Sequence, residues 1–206
     1  MQHIVLLGDS ILDNAAYVPF NLDVINLLRN RLPAGWKATL LARDGSMIDD
    51  VKYQLRQIPA DASFLVLSVG GNNALSHVNI MSERASSVSE VLLMLADIQD
   101  EFRNSYRTML KNVLSFKLPV LICTIYYPRF PDLTLQKMSK LALSIFNDCI
   151  IGQAIGSGSM LIDLRTIFNE DKDYATPIEP SESGGHKLVD AILEKVKGYE
   201  NNKPTI

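Results

Sequence analysis

The stretch His3-Ile4-Val5-Leu6-Leu7-Gly8-Asp9-Ser10 decides the fold of this 206-residue chain. A continuous apolar run that ends at Gly and Asp predicts a strand buried on both faces, as in a parallel sheet. Ser10 then lies at the carboxyl end of that strand, where open α/β sheets bind their ligands. The stretch alone leaves two interpretations of Ser10: a reactive hydroxyl, or a residue that together with Asp9 only caps the next helix.

Four more apolar runs of strand length follow, and amphipathic helical patterns separate them. They cover 37–42, 64–69, 119–125 and 160–164. Strands that alternate with helices predict an α/β fold, here a three-layer αβα sandwich. Right-handed crossovers between five strands favour a flavodoxin-like doubly wound parallel sheet with the strand order 2-1-3-4-5. We expect a single domain over 1–206, with a frayed tail at 199–206.

The connection between the third and fourth predicted strands is long. Apolar residues recur every three or four positions from Val91 to Val113, which predicts a helix. Such a helix would reach about 40 Å at ~1.5 Å per residue, so we expect it to break or overhang the domain near Asp100. The segment 75–86 before it is a candidate lid or pocket wall, and an inert surface loop is the alternative.

Composition and charge argue against several classes of protein. The net charge of -3 gives no electrostatic footprint for a nucleic-acid partner. No apolar run approaches the ~18 residues of a membrane span, and the first ten residues resemble a strand of the mature fold more than a signal peptide. Cys123 and Cys149 are expected to be buried thiols in a reducing compartment. We therefore expect a cytoplasmic protein.

Four positions fall on the same rim of the predicted sheet: Ser10, Gly45, Asn72 and His186. A serine hydroxyl needs a base to take its proton, and acyl transfer needs donors aimed at the developing oxyanion. His186 can act as that base. The backbone N–H groups of Ser10 and Gly45, with the Asn72 amide, can hold the oxyanion. In the alternative, His186 is a capping or surface residue and the glycine-asparagine segment is only a turn.

These positions resemble the sequence blocks of the GDSL esterase/lipase group in its SGNH-hydrolase form. Gly8-Asp9-Ser10-Ile11 is similar to the first block, with Ile in place of Leu, and Gly45 fits the second. Gly70-Gly71-Asn72-Asn73 is similar to the third block, with Asn in place of a final Asp, and His186 fits the histidine of the last. The resemblance implies a flavodoxin-like three-layer fold and metal-free hydrolysis of an ester through an acyl-enzyme on Ser10.

The last block departs from the pattern of that group. The pattern is usually Asp-x-x-His, which would put the acid that orients the histidine at the position of Ser183. Glu182 and Glu179 are nearby in sequence. We predict that a backbone carbonyl near Ser183 orients His186, with Glu182 as the second candidate.

The remaining motifs limit the reaction class. Three widely separated histidines and two cysteines at no ligand spacing predict no metal, and the lack of a Gly-x-Gly-x-x-Gly or Walker loop predicts no nucleotide cofactor. We expect a small-molecule acyl ester or thioester as the substrate, with Tyr126 and Tyr127 lining its pocket. The alternatives are a sugar O-deacetylase and a non-catalytic flavodoxin-like binding module. The sequence does not fix the oligomeric state.

Overall fold

The computed structural model of the chain describes residues 2–202 and contains a five-stranded parallel sheet. Its strands are β1 (His3–Gly8), β2 (Lys37–Leu40), β3 (Phe64–Ser68), β4 (Val120–Cys123) and β5 (Met160–Ile162). The strand order is β2-β1-β3-β4-β5, and every neighbouring pair is parallel. The predicted fold class, a flavodoxin-like α/β sandwich with the order 2-1-3-4-5, is confirmed.

Helices cover both faces of this sheet. They are α1 (Val24–Arg31), α2 (Val51–Leu55), α3 (Gly71–Ser76), α4 (Val88–Leu114), α5 (Leu133–Ser157), α6 (Leu164–Ile167) and α7 (Glu182–Asn201). Side chains of β1 alternate between the two faces: Ile4 and Leu6 pack in one core cluster with α1 and α7, while Val5 and Leu7 pack in the other with α2, α4 and α5. This double burial explains the continuous apolar run of β1.

The long helix α4 is unbroken, and its first half overhangs the core. Its buried residues begin at Phe102, whereas Val88, Leu92 and Leu93 are exposed. The turns before Phe102 extend about 20 Å along the helix axis at ~1.5 Å per residue. The overhang predicted near Asp100 is therefore present, without a break in the helix.

The segment 75–86 is largely helical, because α3 continues to Ser76 and a 3-10 helix spans Val78–Ser82. At the other end of the chain, α7 continues through Asn201, so the predicted frayed tail is helical over its first residues. Residues 203–206 lie outside the described residues. No helix within 2–202 is long and apolar enough to cross a membrane. Cys123 and Cys149 are buried free thiols.

A short antiparallel hairpin precedes α7. It consists of β6 (Tyr174–Thr176) and β7 (Glu179–Pro180). Its second strand brings Glu179 to the turn that follows β1, where Glu179 Oε1 lies 3.1 Å from Ser10 Oγ. Residues 169 positions apart in sequence thus meet at the carboxyl edge of the sheet.

Candidate active site

The turn after β1 is tight because two strands approach closely there. Gly8 pairs with Ser68 of β3 and has a φ of +132°, and a Cβ at Gly8 would lie 1.7 Å from the Ser68 carbonyl oxygen. Only glycine fits this position. The next N–H, that of Asp9, donates to the same carbonyl over 3.0 Å. The chain then turns away from the sheet and leaves Ser10 in the wall of a cavity at its carboxyl edge.

Gln54 of α2 fixes the backbone of this turn. Its Oε1 accepts the Gly8 N–H over 2.8 Å, and its Nε2 donates to the Gly8 carbonyl over 2.8 Å. The side chain is almost fully buried, so these bonds are made away from water. The prediction of the site missed Gln54. Its signal in the sequence is a polar residue on the apolar face that Val51, Leu55 and Ile58 define.

Ser10 is hydrogen-bonded to a buried carboxylate. Its Oγ donates to Oε1 of Glu179 over 3.1 Å, and Glu179 is 8% exposed. The other oxygen, Oε2, is buried and has no hydrogen-bond partner within the described part of the chain. Burial raises the pKa of Glu179 to about 7, with a smaller increase from the charge of Asp44, while the bond from Ser10 lowers it. Glu179 is thus a weak acid of near-neutral pKa in contact with the Ser10 hydroxyl.

His186 lies elsewhere. It stands on α7 with a side chain that is 47% exposed, and its Nε2 lies 3.7 Å from Oε1 of Glu182. It does not line the cavity that Ser10 lines, and no hydrogen bond joins it to Ser10. Ser183 also lies within α7 and donates its hydroxyl to Asp173 over 3.2 Å. The structure therefore does not bring His186, Glu182 or Ser183 to Ser10; the group that it places there is Glu179.

The reason is the position at which α7 begins. The Ser181 hydroxyl accepts the Gly184 N–H over 3.3 Å as the N-cap, so the glycine pair lies in the first turns of the helix and not in a loop before it. A Cβ at Gly184 would lie 2.3 Å from the Asp173 carbonyl oxygen. Gly184 thus allows the helix to pack against the chain before the hairpin, and His186 falls on the exposed side.

Asn72 lines the cavity, whereas Gly45 does not. Asn72 lines the cavity from α3, and its Nδ2 donates to the Ser46 carbonyl over 2.9 Å. A side-chain amide has two N–H donors, so one remains for a ligand. Gly45 is exposed in the turn after β2, has a φ of +77° and is absent from the cavity wall.

Asp9 has a structural role in the turn. It is almost fully buried, and its Oδ1 accepts the Ile11 N–H over 3.2 Å. Burial raises the pKa of Asp9 to about 7; backbone hydrogen bonds lower it, and the charge of Glu179 raises it further. Two carboxyl groups of near-neutral pKa therefore lie in the wall of the same cavity.

The cavity has a volume of about 340 Å³, and most of its lining is apolar. Helices α3, α4 and α5 supply its walls, together with the 3-10 helix after α3. The apolar side chains from these helices are Leu75, Val78, Ile80, Met81, Leu95, Ile98, Leu135, Leu143, Ile145 and Phe146. The segment 75–86 thus contributes wall residues, as one of the two interpretations from the sequence expected.

The aromatic residues after β4 differ in their roles. Tyr126 is buried in the cavity wall, and its hydroxyl donates to the Ile178 carbonyl over 2.6 Å. Tyr127 does not line the cavity; its carbonyl accepts the Tyr174 hydroxyl over 2.7 Å. Among residues 2–202, no group of three His, Cys, Asp or Glu side chains could hold a metal ion.

Fold and site together define a doubly wound α/β protein that carries a buried serine–carboxylate pair in the wall of an apolar cavity. No protein-family model matches the chain. No curated protein matches it either.

Solved structures do match, over nearly the whole chain. One is a member of the lipolytic G-D-S-L family from Veillonella parvula, at 15% identity and a TM-score of 0.70, covering 94% of this chain and 97% of that one. A phospholipase A1 from Streptomyces albidoflavus matches at 15% identity and a TM-score of 0.70, covering 94% of this chain and 99% of that one. A carbohydrate acetylesterase from Sinorhizobium meliloti matches at 13% identity and a TM-score of 0.69, covering 97% of this chain and 100% of that one. The resemblance to the GDSL group seen in the sequence blocks therefore extends to the fold.

Proposed function

We propose that this chain hydrolyses carboxylic esters or thioesters of small molecules, with Ser10 as the nucleophile and an acyl-enzyme as the intermediate. The observation that carries the proposal is the Ser10 hydroxyl, hydrogen-bonded to a buried carboxylate over 3.1 Å in the wall of a cavity of about 340 Å³. A hydroxyl that already donates to a basic group is poised for nucleophilic attack. The GDSL lipases and esterases that share the fold support the same reaction class.

The oxyanion would be held by the Ser10 backbone N–H and by the second N–H of the Asn72 amide. Both residues line the cavity, and the bond from Asn72 to the Ser46 carbonyl fixes the orientation of that amide. Donors fixed in advance stabilise the developing charge without reorganisation. Losing one such donor typically lowers the rate by ~10²–10³, so Asn72→Ala is expected to lower kcat within that range.

The apolar cavity favours an acyl chain over an acetyl group. Each methylene that moves from water into an apolar environment contributes about 0.8 kcal/mol, which corresponds to ~4-fold in binding. A sugar O-deacetylase would gain nothing from the apolar side chains of α3, α4 and α5. We therefore expect kcat/KM for p-nitrophenyl esters to rise from acetyl toward octanoyl.

A fluorophosphonate probe tests the nucleophile directly. Wild type is expected to be labelled, and Ser10→Ala to be unlabelled. Ser68→Ala is the matched control, because Ser68 is a buried serine at the end of the neighbouring strand and does not line the cavity. A folded wild type that is neither labelled nor active on any ester from acetyl to decanoyl would contradict the proposal.

The second candidate is a binding module without catalysis. It is favoured by the position of His186, which is 47% exposed on α7 and away from Ser10. In that case the cavity would hold an apolar ligand beside an unreactive serine. Equilibrium binding of a fatty acid by an unlabelled wild type is the result that would support it.

A further inference from the structure

We propose that Glu179, in place of a histidine, is the catalytic base that takes the proton of Ser10. The inference rests on the proposed function and adds the group that makes the serine reactive. It also reassigns the role that the sequence blocks suggested for His186.

Glu179 is in direct contact with the Ser10 hydroxyl. A general base must lie within hydrogen-bond reach of the proton that it removes, about 2.6–3.2 Å between heavy atoms. Glu179 Oε1 meets this condition at 3.1 Å from Ser10 Oγ. The ring of His186 does not line the cavity, and the carboxylate nearest to it is that of Glu182.

The backbone on both sides of Glu179 is fixed by hydrogen bonds. The Tyr126 hydroxyl donates to the Ile178 carbonyl over 2.6 Å, and the Asn14 amide donates to the Pro180 carbonyl over 3.3 Å. Asn14 is fully buried, and its Oδ1 also accepts the Val24 N–H over 2.9 Å. The carboxylate therefore stands on a strand that is anchored to the loop after β4 and to the chain after β1.

The basicity of Glu179 also suits it to this role. Catalysis by a general base is most efficient when its pKa lies near the working pH, which is why histidine is the usual choice. Burial raises the pKa of Glu179 to about 7, into the range of an imidazole. Asp9, Asp44, Tyr17 and Tyr126 are the other titratable groups coupled electrostatically to this carboxyl or to its surroundings. None of them is a cation, so the carboxylate keeps its affinity for a proton.

The unpartnered oxygen of Glu179 supports the same assignment. Glu179 is 8% exposed and lines the cavity, yet its Oε2 has no hydrogen-bond partner within the described residues. Leaving a buried acceptor unsatisfied costs about 1–3 kcal/mol, and more for a charged group. A hydrolytic cycle supplies the missing donor, because the attacking water must place an O–H against a base in the same wall.

In this mechanism Glu179 holds the transferred proton in both halves of the cycle. The Oγ–H bond of Ser10 breaks as Oγ bonds to the substrate carbonyl carbon; the proton goes to Glu179, and the carbonyl π electrons become the oxyanion. When the carbonyl re-forms, the C–O bond to the leaving group breaks and the alcohol takes the proton back from Glu179. Water then repeats the attack with Glu179 accepting its proton, and Ser10 leaves with that proton.

Two variants separate the candidate bases. Glu179→Gln keeps the size and the acceptor of the side chain but cannot accept a proton, and we expect it to lower kcat/KM and the rate of fluorophosphonate labelling by ~10²–10⁴. His186→Asn is expected to change both by less than a factor of two. Thermal unfolding of each purified variant shows whether it is folded. If Glu179→Gln is not folded, Glu179→His takes its place. Ester hydrolysis by this variant, which has an imidazole at position 179, supports the assignment.

The pH profile is the readout that a merely structural role would not move. Because the base must be ionised, wild-type kcat/KM is expected to rise with pH and to level off above an apparent pKa near 7. That rising limb is expected to vanish from the residual activity of Glu179→Gln.

Three outcomes would overturn the assignment: labelling of Glu179→Gln at the wild-type rate, an unchanged rising limb in that variant, or a loss in His186→Asn as large as in Ser10→Ala. An inert, unlabelled wild type is a different result, because it removes the proposed function itself.

Discussion

Replacing Gln54 by Met is expected to loosen the turn that presents Ser10. Gln54 makes two hydrogen bonds of 2.8 Å, one to the Gly8 N–H and one to the Gly8 carbonyl. The Gly8 carbonyl also accepts the Arg43 N–H over 3.0 Å and so keeps a partner after the substitution. Within residues 2–202, the Gly8 N–H has no acceptor to replace Gln54 Oε1. Met fills nearly the same volume as Gln, so the change removes polar contacts without opening a cavity.

The magnitude follows from that single orphaned donor. An unsatisfied buried backbone N–H costs about 1–3 kcal/mol, so we expect the free energy of unfolding to fall by about 2 kcal/mol. For a domain of this size, each kcal/mol shifts Tm by about 2–4 °C, which gives a decrease of about 4–8 °C. Because Ser10 stands two residues after Gly8, kcat is expected to fall by ~10–100-fold, with a smaller change in KM.

Gln57→Met is the control, since Gln57 follows the same helix and the one hydrogen bond that its side chain makes within the described residues is an exposed one to the Tyr53 carbonyl. Differential scanning calorimetry and p-nitrophenyl ester kinetics on both variants supply the measurements. The control should stay within about 0.5 kcal/mol of wild type. Equal Tm values for the two variants would refute the role of Gln54 as a clamp, and a lower Tm with unchanged kcat would refute the link from this clamp to Ser10.

Three further changes test the turn, its buried acid and the cavity. The pKa of Asp9 is raised to about 7 in the folded chain, so its contribution to stability is present in acid and is lost as pH rises toward 7. Asp9→Asn should therefore flatten the decline of Tm between pH 4 and 8. An unchanged slope of Tm against pH in this variant would contradict the prediction. Gly8→Ala should prevent folding because its Cβ would lie 1.7 Å from a carbonyl of β3, whereas Gly152→Ala, in open space on α5, should raise stability by up to ~1 kcal/mol in chemical denaturation. Ala142→Trp should lower kcat/KM for decanoyl but not acetyl esters, since Ala142 lines the cavity, while the exposed Leu141→Trp should alter neither; equal effects from the two would argue against acyl binding there.

Much of the scaffold could be predicted because its signals are local. The central strands β1, β3 and β4 are short apolar runs, and their burial on both faces follows from those runs alone. The order of the strands follows from handedness and strand number, and it places Ser10 and Asn72 at one edge. The structure puts both residues in the wall of one cavity. Periodicity likewise predicted α4 and its overhang.

The partner of Ser10 could not be predicted, because two long-range contacts decide it. The glycine pair before His186 has the local signature of a loop, yet Gly184 packs against the Asp173 carbonyl and lies in α7. The N-cap of α7 at Ser181 then places His186 on the exposed side of the helix. Glu179 reaches Ser10 through a two-residue strand, which is too short for a periodic signal.

The unpartnered oxygen of Glu179 distinguishes this carboxylate from the buried amides at the carboxyl edge of the sheet. Two buried amides there are fully satisfied: Gln54 holds both backbone groups of Gly8, and Asn147 holds both backbone groups of Ile125 over 2.8 Å. These two structural amides thus have their polar atoms paired, as buried polar groups in native proteins generally do. Among the buried side-chain atoms without a partner in the described chain, the Glu179 oxygen belongs to the one residue that lines the cavity. Burial without a partner destabilises the carboxylate, and the same burial gives it the proton affinity of an imidazole. Exceptions of this kind concentrate at functional sites, so the cost in stability is itself an argument that Glu179 acts on the substrate.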